Sequence, residues 1–178
     1  LQEVPISVSA FNMGDMSKLQ IEAVSDVAAA VPNMQTYSVT ANASAMQVFM
    51  RGSGVQNPGF NASESPVGFY VDDVYFGRLA TANVDLTDIE RTEVLRGPQG
   101  TLYGRNTIAG AVKFITRTPD DDVYADASLG YGNYKTRKLT ATVGGPLIEG
   151  KLAGSVAVLN HERDDGWIDR SNGGRDLG

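Results

Sequence analysis

The sequence predicts an α+β fold, a small mixed sheet with short helices, over residues 1–119, followed by antiparallel strands over residues 120–178. Three observations support this prediction. Short strand-like and helix-like segments alternate irregularly in the first part. In the second part, apolar and polar residues alternate regularly. Glycine accounts for 20 of the 178 residues, more than its usual share, and favours many tight turns.

The first part begins with a predicted strand and a predicted short helix. LQEVPISVSAF (1–11) alternates weakly and carries Pro5 near its start, where a strand tolerates proline. Ser25 is predicted to cap a helix over residues 26–31. Pro32 is predicted to end that helix, because proline lacks the backbone N–H that a helix needs.

Short strands account for most of the remaining first part. The predicted strands are AMQVFMRG (45–52), VGFYV (67–71), VYF (74–76), RTEVL (91–95) and GAVKFIT (110–116). Met46, Val48 and Met50 share one face of the first of these, as expected of a half-buried strand. Asp72-Asp73 stands between two runs and predicts a hairpin. VDLTDIE (84–90) predicts a helical turn.

The second part predicts an antiparallel sheet with one apolar face. VYADASLGY (123–131) and RKLTATVGG (137–145) alternate, and a turn centred on Asn133 keeps both apolar sets on one side. The predicted pairs are Ala127 with Leu139, Ala125 with Ala141 and Val123 with Val143. LAGSVAVLN (152–160) alternates less cleanly and leads into a charged loop without periodicity. Alternation alone fits a membrane barrel and a soluble sandwich equally well.

Composition excludes several classes of protein. The net charge of -6 and the pI near 4.7 argue against a nucleic-acid partner. Cysteine is absent and His161 is the single histidine, so thiolate chemistry and a histidine metal cluster are not expected. There is no signal peptide and no apolar run of about 18 residues, which excludes a membrane helix. Because the chain starts at Leu1 rather than Met, we expect it to be a piece of a longer protein.

The glycine-rich stretch around residues 97–106 has the glycine content of a phosphate-binding loop but lacks the other residues that such a loop needs. A Walker loop needs a lysine followed by a hydroxyl residue, but Gly104 is followed by Arg105-Asn106. Gly97-Pro98-Gln99-Gly100 does not fit the dinucleotide fingerprint either. The sequence therefore does not predict a nucleotide-binding enzyme.

Other catalytic and metal-binding patterns are also missing. Ser53 lacks the first glycine of a nucleophile elbow. Asp85, Asp88 and Glu90 do not have calcium-loop spacing. Asp72-Asp73 is interpreted as a turn, with cation binding as the alternative. We therefore predict no catalytic residue, no metal site and no cofactor, and we do not expect an enzyme.

IERTEVLRGPQGTLYGRNTIAGAVKFIT (89–116) resembles the signature of the plug domain of TonB-dependent outer-membrane receptors. Three further stretches resemble that family in the same order: VPISVSAF, SDVAAAVPNMQ and MRGSG with PVGFYVDDVYFGR. From Asp121 onward the chain resembles the start of the family's barrel, with GGPLIEGKL as a periplasmic turn. The chain departs from the family pattern at Ala109, at Lys113-Phe114 and at Asp73, where glycine is frequent.

The resemblance implies a plug domain over residues 1–119 and the first strands of a transmembrane β-barrel over residues 120–178. It implies TonB-dependent uptake of a nutrient such as a ferric siderophore, cobalamin or an oligosaccharide across the outer membrane of a Gram-negative bacterium. The implied partners are outer-membrane lipid and TonB with its ExbB/ExbD energy-coupling complex, reached through a TonB box upstream of this sequence. The alternative is a soluble periplasmic plug-like binding module.

The resemblance also assigns roles to individual residues. Arg51 and Arg96 are expected to face carboxylates of the barrel wall, with Glu90, Arg91 and Glu93 paired at the same plug–barrel interface. Tight turns and close backbone approach are expected at Gly52, Gly97, Pro98, Gly100, Gly104 and Gly110. A ligand-facing apex is expected to contain Asn57, Phe60, Tyr75, Phe76 and Arg78; the alternative is that these are ordinary loop residues.

Overall fold

A computed structural model describes residues 7–21, 23–39, 42–55, 64–77, 87–164, 168–169 and 175–176. The chain divides into two compact units, Leu1–Arg117 and Thr118–Gly178. This division falls close to the predicted change of pattern at residue 119. Among the described residues, no helix is long and apolar enough to cross a membrane.

The first unit contains a mixed sheet of five strands and a smaller sheet of three strands, with short helices. In chain order its elements are β1 (Ser7–Asn12), α1 (Met13–Lys18), α2 (Val24–Ala30), β2 (Met34–Val39), β3 (Asn42–Met50), β4 (Ser53–Gly54), β5 (Val67–Val71), β6 (Val74–Phe76), β7 (Ile89–Arg96), α3 (Gly100–Tyr103) and β8 (Gly110–Thr116). The larger sheet has the order β1-β7-β8-β5-β6, and the smaller has the order β2-β3-β4. Strands β5 and β8 are parallel, while the other neighbours are antiparallel. The predicted α+β class is confirmed.

The main core lies on one face of the five-stranded sheet. Val94 and Val112 project from its central strands and meet residues of α1, α2, β2 and β3. Met46, Val48 and Met50 are all buried in this core, as their shared strand face predicted. Burial of these apolar side chains supplies most of the force that joins the two sheets.

The second face of the five-stranded sheet has a different composition. Leu95, Ala111 and Tyr70 form a small separate cluster there. The strand register places Glu93 of β7, Lys113 of β8 and Tyr70 of β5 side by side on that face. Charged and aromatic side chains therefore share the face that is not covered by the main core.

The N-terminus of α2 differs from the prediction. The helix begins at Val24, with Ala23 as its N-cap, so Ser25 lies inside the first turn. The carboxylate of Asp26 accepts the N–H of Ala23 at 2.8 Å, while the N–H of Asp26 donates to the carbonyl of Ala23 at 3.0 Å. A carboxylate in the first turn also stabilises the positive end of the helix. The helix ends at Ala30, one residue before the predicted end, because Val31 before Pro32 is already extended.

Strand β7 is longer than predicted. Ile89 pairs with Thr116 of β8 and is buried, so residues 89 and 90 belong to a strand. The helical turn predicted over residues 84–90 is therefore wrong at its end, and residues 84–86 lie outside the described chain. The hairpin predicted around Asp72-Asp73 is confirmed, and both residues have positive φ angles of 47° and 66°.

The second unit is built on an antiparallel sheet in the order β11-β10-β9, consistent with the first strands of a barrel. Its strands are β9 (Tyr124–Gly132), β10 (Thr136–Ile148) and β11 (Leu152–Glu162). A short pair, β12 (Ile168–Asp169) and β13 (Arg175–Asp176), lies within the stretch that was predicted to be loop. That prediction is wrong for these four residues and for His161 and Glu162, which end β11.

The predicted register of β9 and β10 is wrong by two residues. The structure pairs Leu129 with Leu139, Ala127 with Ala141 and Ala125 with Val143. The connection is a three-residue turn, Asn133–Lys135, in which Tyr134 and Lys135 have positive φ. A shift of two keeps every side chain on its predicted face, because side chains alternate with a period of two. The apolar face is therefore as predicted, and Leu129, Val143 and Val156 are exposed on it.

Candidate functional site

Two arginines from separate motifs meet at one corner of the first unit. Arg96 ends β7, and its Nη2 donates to the Oγ of Ser9 at 3.2 Å while Nη1 donates to the carbonyl of Pro32 at 3.4 Å. Arg51 follows β3, and its backbone N–H donates to Asn33 at 2.9 Å. The Nη1 of Arg51 lies only 3.2 Å from where a Cβ on Gly97 would be. The Arg51 guanidinium therefore lies beside Gly97, the residue after Arg96, and the two arginines bind the consecutive residues Pro32 and Asn33.

This corner is positively charged and locally uncompensated. Within the described part of the chain, no carboxylate comes within 4.0 Å of Arg51 or Arg96. The Nε of Arg96 is buried and has no hydrogen-bond partner among the described residues. Buried donors are nearly always satisfied, so this arrangement calls for an acceptor. A carboxylate is the ligand that a guanidinium fork fits best.

Gly97 and Gly110 adopt backbone positions at this corner that a residue with a side chain would not fit without strain or overlap. Gly97 has a φ of 113°, and its N–H donates to the carbonyl of Ala109 at 2.9 Å. A Cβ on Gly110 would overlap the Sδ of Met50 and the backbone oxygen of Leu95. Glycine thus lets the two sheets approach closely at Met50.

The other predicted turn residues are less uniform. Gly52 and Gly104 also have positive φ angles, of 80° and 78°. Pro98 is exposed in the loop after Gly97. Gly100 opens helix α3 and is the exception, because its φ is not positive and a Cβ there would meet nothing within 4 Å.

Arg91 forms ion pairs with both neighbouring glutamates on the second face of the sheet. Its Nη1 lies 2.9 Å from Glu90 and its Nε lies 2.9 Å from Glu93. The hydrogen bond that Arg91 donates to Glu93 raises the pKa of Arg91, with a smaller contribution from Glu90. Arg91 is therefore compensated by carboxylates within the chain, and one negative charge of the trio is left over, unlike at the corner with the two arginines.

Three tyrosines and a lysine form a cluster on the same face. The ring of Tyr70 lies 5.5 Å from that of Tyr75 and 5.3 Å from that of Tyr103. The Tyr70 hydroxyl donates to the carbonyl of Tyr103 at 2.8 Å, and Asn106 donates to the Tyr75 hydroxyl at 3.0 Å. Burial raises the pKa of Tyr70, and the neighbouring tyrosines raise it further. The cluster joins β5, β6 and the segment around α3.

Lys113 lies at the centre of this cluster and is paired with Asp73. Its Nζ is 2.7 Å from the Asp73 carboxylate and 5.3 Å from the centre of the Tyr103 ring. Burial alone lowers the pKa of Lys113, but the hydrogen bond to Asp73 and nearby negative charge raise it overall. Lys113 and Asp73 are two of the positions at which the sequence departs from the family pattern. The structure brings these two departures into direct contact.

The Asp72-Asp73 turn is satisfied within the chain. The Asp72 carboxylate accepts the N–H of Thr116 at 2.9 Å and its hydroxyl at 2.7 Å. Among the described residues, no group of three acidic or histidine side chains is arranged to hold a metal. The interpretation of Asp72-Asp73 as turn residues therefore accounts for both carboxylates.

The structure describes two of the five residues predicted for the ligand-facing apex, and these two point to opposite sides of β6. Tyr75 is half-buried in the tyrosine cluster, whereas Phe76 is 46% exposed on the opposite side of β6. Asn57, Phe60 and Arg78 lie outside the described residues. Sequence reasoning missed the contacts of Tyr70, Tyr103 and Lys113, because the parallel pairing of β5 with β8 that brings them together leaves no local signal.

Comparison with known proteins identifies the class of protein to which this fold and these motifs belong. Residues 1–111 match the family described as the TonB-dependent Receptor Plug Domain. The chain is 35% identical over 113 residues to the pesticin receptor of Yersinia pestis, and this match covers 63% of this chain and 16% of that protein. It is 31% identical over 165 residues to the vitamin B12 transporter BtuB of Vibrio vulnificus, covering 86% of this chain and 25% of that protein.

A solved structure gives the same result. The ferric yersiniabactin uptake receptor FyuA of Yersinia pestis superposes with a TM-score of 0.79 at 25% identity, over 86% of this chain and 24% of that chain. The chain belongs to the plug-domain family of TonB-dependent receptors. This family is non-enzymatic and is located in the outer membrane of Gram-negative bacteria. The chain spans about a quarter or less of the curated relatives reported above.

Proposed function

We propose that this sequence forms the plug and the first barrel strands of a receptor for TonB-dependent active uptake of a scarce nutrient, most simply a ferric siderophore chelate. Residues 1–119 are the plug that gates the barrel, and residues 120–178 begin the barrel wall. TonB, driven by the ExbB/ExbD complex, rearranges the plug after ligand binds outside. The observation that carries the proposal is the plug family match over residues 1–111, together with the uncompensated Arg51–Arg96 corner.

The charge distribution on the first unit supports a plug–barrel interface of two kinds. At the corner formed by Arg51 and Arg96, neither guanidinium has a carboxylate partner among the described residues, and the buried Nε of Arg96 has no acceptor there. Carboxylates on the barrel wall would supply them, because buried charges are stable only when they are paired. Arg91 already forms ion pairs with Glu90 and Glu93. Because these side chains are partly exposed, we place them in a hydrated part of the same interface.

The second unit supports placement in a membrane. Its three strands carry Ala125, Val143 and Val156 in one row and Ala127, Ala141 and Val158 in the next, all on one face. The opposite face pairs Ser128 with Thr140 through their hydroxyls at 2.6 Å. Apolar residues towards lipid and polar residues towards the interior are typical of barrel strands.

The names of the relatives guide the choice of ligand. FyuA is described as a ferric yersiniabactin uptake receptor, whereas BtuB is described as a vitamin B12 transporter. A ferric chelate is favoured because FyuA resembles this chain with a TM-score of 0.79. Cobalamin and oligosaccharides are the alternatives that the experiment must separate.

Uptake by cells that express the complete gene product tests the proposal. Radiolabelled ferric chelates, cobalamin and an oligosaccharide are supplied to cells with and without TonB. We expect ferric chelate to accumulate only when TonB is present. Accumulation without TonB, or a complete chain that lacks further barrel-patterned strands, would instead support a soluble periplasmic binding module.

The ligand-facing apex is part of the same proposal. We propose that Asn57, Phe60, Tyr75, Phe76 and Arg78 contact the nutrient. Phe76 is exposed, as this role requires. Changing all five residues to alanine in the complete receptor is expected to weaken ligand binding at least tenfold. A companion variant, Tyr75→Phe, removes only the hydroxyl that Tyr75 contributes to the tyrosine cluster and shows how much of the effect comes from that loss. Unchanged ligand affinity of the five-residue variant would reject the assignment of these residues to the apex.

A further inference from the structure

Lys113 contacts more elements of the first unit than its position in a strand requires. It lies on β8, its ion-pair partner Asp73 lies in the β5–β6 turn, and its ring partner Tyr103 belongs to α3. Its cross-strand neighbours are Tyr70 and Glu93. Only 14% of the Lys113 side chain is exposed, so its ammonium group interacts mainly with these neighbours.

Asp73 occupies a backbone conformation that disfavours an L-residue. Its φ of 66° lies in the left-handed region, which glycine adopts without cost in a two-residue hairpin turn. A non-glycine residue there stores strain, and such strain often marks a functional role. The ion pair with Lys113 offsets part of the strain of Asp73 in this conformation.

Asp73 determines where the Lys113 ammonium group lies. Glu93 is the competing carboxylate, as the cross-strand neighbour of Lys113, but its Oε1 already accepts from Arg91 at 2.9 Å. Asp73 therefore holds Nζ over the Tyr103 ring rather than towards Glu93. Without Asp73, Nζ is free to turn towards Glu93 and to leave Tyr103.

A second link joins the same two segments. The Asn106 side chain donates to the Tyr75 hydroxyl at 3.0 Å, and the Tyr75 ring packs on Tyr70. The hairpin segment, residues 72–77, is thus tied to the α3 segment, residues 99–106, at two points. One link depends on charge and the other on a neutral hydrogen bond.

We infer that Lys113 is a positioning residue that clamps the hairpin segment to the α3 segment, so that the two segments open together. This clamp is a conformational device of the plug itself and does not depend on which nutrient is taken up. It couples β6, which carries Phe76, to the loop that follows Gly97.

Hydrogen exchange of the complete receptor tests the clamp, with Asp73→Gly as the main variant. Glycine suits the turn, so this change removes the ion pair without straining the hairpin. We expect exchange in the α3 segment to become about threefold to tenfold faster, as loss of a partly exposed ion pair and a cation–π contact predicts. Unchanged exchange in the α3 segment would overturn the inference.

Four further variants, one of them a double variant, make the result specific. Lys113→Met is expected to accelerate exchange in both segments, and Asp73→Gly added to it should have little further effect, since both changes break one link. Lys113→Arg keeps the charge and is expected to restore most of the protection. Glu64→Gln, at an exposed position, serves as the control. Additive effects of Lys113→Met and Asp73→Gly would also reject the clamp.

Discussion

The Sδ of Met50 occupies the space that a side chain on Gly110 would need. Met50 ends β3 of the smaller sheet and Gly110 begins β8 of the larger one, so this contact joins the two sheets of the first unit. The backbone oxygen of Leu95 closes the other side of the same space. Because a backbone atom cannot move aside as a side chain can, the position accepts glycine alone without rearrangement.

Gly110→Ala is therefore expected to destabilise the plug by about 1–3 kcal/mol, the usual cost of overpacking a core. Gly100→Ala is the matched control, since a Cβ there meets nothing within 4 Å. The midpoint of chemical denaturation of the complete receptor, followed by a probe in the plug, measures both changes. Equal midpoints for the two variants would show that the sheets do not meet as described.

Removal of the Arg96 guanidinium tests the proposed interface. Arg96→Ala in the complete receptor is expected to weaken the association of plug and barrel by about 3–5 kcal/mol, because a barrel carboxylate would lose its partner. Arg96→Lys should recover only part of this, since lysine does not reproduce the planar fork. The measurement is the denaturant concentration at which the plug is released. Arg105→Ala, at an exposed position, is the control, and an equal effect there would contradict a special role for Arg96.

Asp26 rather than Ser25 is expected to stabilise the start of α2. Asp26→Ala removes the acceptor for the Ala23 N–H, and loss of such a cap typically costs about 1 kcal/mol. Ser25→Ala keeps that hydrogen bond and should have a much smaller effect. Amide exchange of residues in α2 distinguishes the two variants. Greater loss of protection in Ser25→Ala would restore the original sequence-based assignment of the cap.

The tyrosine–lysine cluster is expected to weaken at alkaline pH. The pKa values of Tyr70 and Lys113 both lie above their ordinary values of 10.0 and 10.5. A raised pKa in the folded state means that folding favours the protonated form, so the contribution to stability is complete below the ordinary pKa. It is lost as the pH rises through the folded-state pKa.

The amide protons of the hairpin and α3 segments should therefore stay protected from exchange up to about pH 10, and they should lose that protection above about pH 10. Exchange data must first be corrected for the intrinsic rise in rate with pH. Tyr70→Phe removes one of the two titrating groups and should flatten part of the response. A loss of protection between pH 6 and pH 8 would indicate a different titrating group.

Local sequence patterns predicted most of the secondary structure. The bounds of β5, β6 and β8 follow directly from the apolar runs VGFYV, VYF and GAVKFIT. The buried face of β3 follows from the alternation of Met46, Val48 and Met50. These features are local, because the side-chain period of a strand is fixed by backbone geometry.

Register and partnership were not predictable in the same way. The offset of two between β9 and β10 leaves the alternation unchanged, so the sequence pattern does not distinguish the two registers. The cap of α2 was missed because Asp26 acts from inside the first turn rather than before it. The register depends on backbone hydrogen bonds that many sequences would satisfy, whereas the cap depends on a side-chain carboxylate that reaches back to the N–H of Ala23.

By itself, the sequence determined the mixed α+β plug, its motifs and the apolar face of the following strands. Only the tertiary structure decided that Arg51 lies beside Gly97, next to Arg96, and that Asp73 pairs with Lys113. These residues are far apart in the chain, and they are brought together by sheet order and by the parallel pairing of β5 with β8. Such pairings depend on the summed packing of the whole unit, which no short stretch of sequence contains.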